Sequence, residues 1–416
     1  MKNRKLSQYV EDAMIDTPVV ALLGARQVGK TTLAKKFVPE SRYHRVSLDD
    51  KGMRDLANND PKAFISSLKK PALIDEIQKC PALTSNLKLL VDESREDGSF
   101  IITGSADLRI LSQFQNKSEA SDHGDSMAGR IEWLRLYTFT QAEIHDAESS
   151  FIRSALQNHF EQTETILTRE QLIERIVLGG YPEIQRRRPH RRSAWFDNYI
   201  ESIVRQDLKE VYSIEKSDEA IKTLKLLAIN SSKLLNKSAI YKNVGVAKET
   251  GNRFISAMAS AYLMHYVPAF HQNETKAVVA SPKIVTLDSG LHCFLRDKNY
   301  DDLVMNPEVL GDVVENFVIA ELIKLSSLYP ENCTVNHYRT KDGAIEVDAI
   351  LTSRGISVGI EVKSGMTVKD SWKKPIQKLV DDGVISHGFI IYTGDRLIKI
   401  SEKITLLPIS NLMCFE

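Results

Sequence analysis

The sequence predicts an α/β protein built in series: a parallel-sheet domain first, a helical middle, and a second, smaller α/β domain last. Three observations predict it. Apolar runs at Val19–Leu23, Ala72–Ile74 and Ser99–Thr103, with helical periodicity between them, read as buried parallel strands joined by helices. From Ala194 to Ala261 the apolar positions recur at helical spacing, and the next strand-like stretch is Met264 to Pro268. In the last third an amphipathic helix, Asp312 to Leu325, precedes two alternating segments, Ile345–Leu351 and Ile356–Val362.

Length and composition bound what such a chain does. Its 416 residues suffice for about three ordinary domains. Lys plus Arg and Asp plus Glu each number 55, so the protein is no polycation, and any nucleic-acid affinity must come from local clusters. No uninterrupted apolar run approaches the roughly 20 residues of a membrane span, and the opening MKNRKLSQYVEDAMID lacks the apolar core of a signal peptide. A soluble, cytoplasmic protein with no membrane partner is expected. Cys80, Cys293, Cys333 and Cys414 lie far apart with no C-x-x-C pair, which suggests neither a disulfide framework nor a zinc site.

Taken in order, Leu6 to Ile15 reads as a short amphipathic helix before the first strand. That strand runs into Gly24-Ala25-Arg26-Gln27-Val28-Gly29-Lys30-Thr31, a complete G-x-x-x-x-G-K-[ST] phosphate loop, followed by Thr32 and a helix to Phe37. The chemistry needs each part. Glycine at 24 and 29 allows a tight turn and close approach to phosphate oxygens, and the free N–H groups of the following helix face the anion. Lys30 reaches the β- and γ-phosphates of ATP, and the Thr31 hydroxyl completes a Mg²⁺ shell.

Tyr43 to Leu48 is a second strand, and KGMRDLANNDPKAFISSL reads as two short helices broken at Pro61. The third strand carries Asp75 and Glu76 out at its C-terminal end, where ligands of open α/β sheets sit. Asp75 is expected to hold Mg²⁺ and Glu76 to polarise the attacking water. A helix through Leu83, Leu87, Leu90 and Val91 leads to a strand ending Thr103-Gly104-Ser105, where Thr103 or Ser105 either contacts the γ-phosphate and water or serves as a turn residue. Gln113 to Ala128 is polar and expected to be a mobile loop, and Gly129-Arg130 opens the next strand.

The order of these parts resembles the prokaryotic AAA-type ATPases of the AAA+ superfamily whose C-terminal half is uncharacterised. The residues carrying the resemblance are GARQVGKTTL, LIDEIQ, IITGSAD, GR before L-x-L-Y-T-F-T-x-x-E, and GGYPE at Gly179 to Glu183; TLDSGL, GDVVENFVIAEL, EVDAIL and IEVKSG follow later. Such membership implies an ATPase with a separate Asp and Glu at the second motif, and no particular substrate. Arg130 is a candidate for contacting the γ-phosphate by planar bidentate recognition, against the alternative of a solvated strand-start arginine.

GGYPE is expected to turn from the ATPase core into a helical lid, and RRRPHRR then places five arginines in seven residues, either a solvated loop or a phosphate-binding patch. Residues 220–271 hold seven Lys or Arg (222, 225, 233, 237, 242, 248, 253) against one acid, Glu249, over a helix-helix-helix-strand pattern. This reads as a winged helix-turn-helix, which contacts DNA in some proteins and only packs in others. The division expected is 1–178 ATPase, 179–219 lid, 220–275 winged helix and 276–416 C-terminal domain.

In that last domain, alternation puts Glu346 and Asp348 on one face of a strand and Glu361 and Lys363 on one face of the next. Asp348 and Glu361 are placed to bind Mg²⁺ jointly while Lys363 holds or deprotonates a water beside a phosphodiester. The spacing resembles the PD-(D/E)XK nuclease core, and Glu315 matches the acidic residue on that fold's first helix; Val347 stands where the pattern has proline. Two function classes stay open. One is an ATP-driven enzyme on nucleic acid, DNA before RNA, with a gripping or cutting C-terminal domain. The other is a nucleotide-dependent switch or scaffold, with an inactive nuclease-like domain, that signals to a protein partner or a second copy of the chain.

Overall fold

Five strands, β1 (Val19–Leu23), β2 (Arg45–Ser47), β3 (Ala72–Asp75), β4 (Phe100–Gly104) and β5 (Ile131–Arg135), form a wholly parallel sheet in the order β2-β3-β4-β1-β5. The computed structural model describes residues 2–107, 127, 129–162, 167–271 and 280–413. All of β1 is buried, because both faces of the sheet are covered: Val20 and Leu22 enter one core and Val19 and Ala21 another. The break at Pro61 is as expected. Asp60 caps the Pro61–Ser66 helix by accepting from the Ala63 N–H at 2.9 Å, after the Lys51–Asn59 helix has ended. The polar stretch 113–128 lies outside the described residues, apart from Met127.

GGYPE does make the turn. A helix, Arg169–Leu178, stops at Gly179 (φ +69°), and a side chain at position 180 would meet the Phe139 carbonyl oxygen at 2.3 Å. The turn is held from a distance in sequence, since the Gly180 N–H donates to Asp288 Oδ2 at 2.8 Å while Asp288 Oδ1 caps its own helix, Ser289–Leu295, through the Leu291 N–H. The motifs GGYPE and TLDSGL therefore meet. Beyond them the helical spacing that begins at Ala194 does not form one unbroken α-helix: Arg192–Ser202 passes through a π-helical turn, Ile203–Asp207, into Leu208–Tyr212.

Three helices, Ser217–Ile229, Lys237–Val244 and Lys248–Ser260, follow, then β6 (Met264–Val267). Strand β7 (Lys283–Thr286), inside the span 276–416 expected to be the C-terminal domain, pairs antiparallel with β6. The helical module thus ends in a two-stranded ribbon.

The C-terminal sheet comprises β8 (Thr334–Arg339), β9 (Glu346–Ser353), β10 (Ile356–Lys363), β11 (His387–Tyr392), β12 (Ile398–Lys399) and β13 (Ile404–Pro408), in the order β12-β13-β11-β10-β9-β8. Strands β8, β9 and β10 are antiparallel neighbours; β11 joins β10 in parallel after the Lys374–Asp381 helix crosses over. One face packs on the long, mostly buried helix Pro307–Ser326. The same core takes in Phe151, Ile152, Leu172 and Ile176, so residues assigned to the ATPase domain from sequence pack with the C-terminal sheet. Buried Glu321 and Lys324 tie that helix to the first domain, accepting from the Gln141 N–H at 3.1 Å and donating to the Phe139 carbonyl at 3.3 Å. Among the described residues no helix is long and apolar enough to cross a membrane.

Candidate functional site

The phosphate loop leaves β1 at the carboxyl edge of the sheet, and its two glycines are required for different reasons. A side chain at Gly24 would lie 2.0 Å from the Leu136 carbonyl oxygen, so the strand-end packing demands glycine there; Gly29 sits at φ +99° as the N-cap of the Lys30–Ala34 helix. Gln27 also has positive φ, a loop conformation that bends N–H groups toward one point. Lys30 is 4% exposed, and its ammonium donates to the Gly24 and Ala25 carbonyl oxygens at 2.9 Å each. Burial pulls its pKa below the ordinary lysine value, against the opposing pull of Glu76 and Asp75. Among the described residues it forms no ion pair.

Asp75 and Glu76 emerge beside it from β3. The Thr31 hydroxyl donates to Asp75 Oδ1 at 2.8 Å and the Thr103 hydroxyl donates to the same oxygen. Burial pushes the Asp75 carboxyl up, while those two hydroxyls pull it down. Glu76 adopts φ +59°, a left-handed backbone costly for a non-glycine residue, and its Oε2 accepts from the Ser105 hydroxyl at 3.0 Å and from the Gln78 amide. Gln78 also donates to Ser105 Oγ at 2.9 Å. Both residues left open at the β4 end are therefore engaged: Thr103 holds Asp75 and Ser105 holds Glu76. A cavity of about 440 Å³ opens beside Thr31 and Asp75, walled by Arg42, Arg45 and Ser47.

Arg130 stands apart from the phosphate loop in this chain. It lies at the amino end of β5, where Val19 pairs with Ile131 and the Val19 N–H donates to the Arg130 carbonyl, while the phosphate loop leaves the opposite end of β1. Its guanidinium pairs with Asp92. The arginine that does sit at the loop is Arg26, whose Nη1 meets Asp207 Oδ1 at 2.6 Å and Ser202 Oγ at 3.3 Å. Asp207 closes the π-helical turn, and such turns re-aim side chains at functional sites. The Tyr199 hydroxyl donates to the Arg26 carbonyl at 3.2 Å and lies 2.9 Å from the Tyr181 hydroxyl of GGYPE. Motif spacing marks Arg26 only as a variable position, and nothing in the helical periodicity singles out Asp207.

The C-terminal carboxylates also converge, and they do so around a lysine. Lys283 of β7 enters the cluster with its ammonium 2.8 Å from Glu346 Oε1, 3.4 Å from Glu315 Oε1 and 3.8 Å from Asp348 Oδ1. Asp348 Oδ2 accepts from the Val362 N–H at 2.8 Å, Lys363 pairs with Glu361, and Arg339 pairs with Glu346 at 2.8 Å. Glu361 is pushed up to about 8, first by burial and then by Asp348; Glu315, a quarter of whose side chain still meets solvent, is pushed up to about 8 by the same two causes. Glu361 Oε2 is buried without a hydrogen-bond partner.

Glu315 and Asp348, expected with Glu361 to hold Mg²⁺, face a lysine ammonium here. Among the described residues no group of three or more His, Cys, Asp or Glu is arranged to hold a metal ion, and a lysine ammonium stands among these carboxylates. The sequence reading missed Lys283 because its partners follow far along the chain. At the phosphate loop the donors do suit Mg²⁺, since the Thr31 hydroxyl and Asp75 already share one point.

Comparison with known proteins gives three family matches. Residues 16–145 match an AAA domain, residues 169–302 a domain of unknown function (DUF8612), and residues 310–412 another domain of unknown function (DUF4143). The uncharacterized proteins Rv2008c of Mycobacterium tuberculosis and Mb2031c of Mycobacterium bovis are each 26% identical over 99% of this chain and 85% of their own length. Among solved structures, the Walker-type ATPase PABY2304 of Pyrococcus abyssi aligns with 71% of this chain and 96% of its own, at 13% identity and a TM-score of 0.40. Lys283 falls within one unknown domain and its carboxylate partners within the next. The phosphate loop and the acidic pair at the end of β3 both lie within the AAA match, which supports an AAA-type ATPase.

Proposed function

We propose that this protein binds Mg-ATP at the loop Gly24–Thr32 and hydrolyses it, and that hydrolysis is coupled to nucleic acid held by the helical module. One observation carries the ATPase reading: Lys30, Thr31, Asp75, Glu76 and Ser105 converge at the carboxyl ends of β1, β3 and β4. Lys30, buried with only carbonyl oxygens for partners, supplies the charge for the phosphates. Glu76, held by Ser105 and Gln78, orients and polarises the attacking water. Thr31 and Asp75 would hold Mg²⁺, which would supply charge neutralisation on the phosphate oxygens. Glu76→Gln is expected to keep ATP binding and lose turnover by roughly 100-fold or more. Wild-type turnover in the variant, measured as released phosphate, would overturn the assignment of Glu76.

The helical module is proposed as a winged helix contacting DNA in preference to RNA. All seven of its basic residues are exposed, and the ribbon of β6 and β7 follows the third helix as a wing would. The C-terminal domain is proposed to be nuclease-like in architecture, with helix, antiparallel β8-β9-β10, helix and parallel β11 in order. Cleavage is not part of the proposal, because a lysine occupies the carboxylate cluster. A second reading, a nucleotide-dependent switch toward a protein partner or second copy, draws on the Arg26–Asp207 pair, which joins the phosphate loop to the lid. ATPase assays with and without DNA separate the two: stimulation supports the first, and its absence the second.

A further inference from the structure

We propose that Lys283 is the resident cation of the C-terminal acidic cluster, delivered by the helical module's ribbon, and that it excludes divalent metal while that ribbon is docked. The Lys283 side chain is 1% exposed and reaches three carboxylates from two elements: Glu315 on the long helix, and Glu346 and Asp348 on β9. Its own strand hydrogen-bonds not to that sheet but to β6, where Lys283 pairs with Val267, and it bridges to Leu234 of the helical module. The positive charge therefore comes from one part of the molecule and the negative charge from another.

An ammonium and a divalent ion compete for one place. Magnesium needs oxygens at about 2.0–2.1 Å in octahedral array, and manganese is served by the same carboxylate oxygens. Glu315 and Asp348 already face Nζ, and a divalent ion between them would sit within a few ångströms of a full positive charge in a poorly solvated site. Neighbouring cations also face these carboxylates, Arg339 on Glu346 and Lys363 on Glu361. Glu361 Oε2 is the buried oxygen that none of these cations serves. It marks what would remain for a metal if Lys283 withdrew. The inference is independent of ATP hydrolysis and of nucleic-acid binding.

The test is Mn²⁺ binding to the full-length, nucleotide-free protein, read by electron paramagnetic resonance. Wild type and Asp348→Asn should titrate alike, because the cluster takes no metal in either. Lys283→Met should gain one site at least about ten-fold tighter than any residual binding, and Asp348→Asn should abolish that gain in the double variant. Lys283→Arg, which keeps the charge, should gain none. A wild-type Mn²⁺ site removed by Asp348→Asn would overturn the proposal, as would a folded Lys283→Met that gains no site. Should Lys283→Met fail to fold, the comparison of wild type with Asp348→Asn still decides.

Discussion

Two buried lysines, Lys30 and Lys283, face opposite electrostatic circumstances, and the difference separates a site awaiting a ligand from one already satisfied. Lys30 has two carbonyl oxygens for company, and burial holds its pKa below the ordinary value. Lys283 has three carboxylates within 3.8 Å, and they push its pKa above the ordinary value despite burial. A buried charge without a counter-charge is costly. At Lys30 that cost is offset when a polyanion arrives. At Lys283 it is offset within the chain, so the second cluster has no comparable demand for a ligand.

The largest effect that would break this comparison is on ATP affinity. Lys30→Ala should weaken binding by about 3 kcal/mol, roughly 100-fold or more, since it removes the charge partner of the phosphates. Fluorescent-nucleotide titration measures it. Unchanged affinity would mean that Lys30 is not waiting for phosphate and that the contrast with Lys283 has no functional content.

Stability should respond in the reverse order. Lys283→Met leaves Glu315, Glu346 and Asp348 without their shared cation, and breaking a buried pair in this way costs about 3–5 kcal/mol. Lys30→Met removes a buried charge that Glu76 and Asp75 offset only in part, and in the nucleotide-free protein it should change stability by less than about 1 kcal/mol or raise it. Denaturant unfolding of the two variants side by side is the measurement. Equal destabilisation would show that the two lysines are alike.

The two sites were not equally legible in the sequence, and chain separation is the reason. The phosphate loop is contiguous, so strand, glycines, lysine, threonine and helix read off in order, and Asp75 and Glu76 follow at the end of an unmistakably apolar strand. Strand alternation also placed Glu346, Asp348, Glu361 and Lys363 on their faces. Alternation says nothing about which distant segment covers a face, however. Lys283 is 32 positions from Glu315, in a strand whose pairing with β6 no local pattern dictates. Arg130 is legible only as the arginine that opens β5; the order of motifs does not carry the parallel register of β5 on β1, which puts that opening at the end of the sheet opposite the phosphate loop. The π-helical turn that aims Asp207 at Arg26 left no mark on the helical periodicity, because Phe196, Ile200, Val204 and Leu208 still recur at a spacing of four that an unbroken α-helix would also show.

A smaller effect sharpens the second half of the comparison. Glu361 is held near 8 in the folded protein against 4.5 ordinarily, so between those values the unfolded chain releases a proton that the folded chain keeps. Stability due to this group is present at low pH and is lost as pH rises from about 4.5 through about 8. Glu361→Gln removes the loss while leaving an oxygen to face Lys363. The variant should therefore gain on wild type as pH rises, by about 1–2 kcal/mol at pH 8, after discounting for coupling to Asp348. Melting curves of both proteins from pH 5 to 8 test it, and a gap that shrinks with pH would place the charged form of Glu361 in the folded state.

The smallest effect concerns lysines of a third kind, those that are exposed. Lys242 lies in the last turn of one helix of the module and Lys248 begins the next; both face solvent, with no burial cost for a ligand to offset. Whatever they contribute to nucleic acid is therefore counterion release, which appears as salt dependence rather than as tight binding at a fixed point. Converting both to glutamate should flatten the slope of log affinity against log salt by about one unit per lost phosphate contact, and leave ATP affinity unchanged. The measurement is fluorescence anisotropy of a labelled duplex over a range of salt. A slope that stays put with affinity intact would move the contact away from this module, and Arg186, Arg188 and Arg191, exposed in the turn after GGYPE, are the next residues to reverse. Loss of ATP affinity in the same variant would instead tie the module to the phosphate loop, through the helices that carry Asp207 to Arg26.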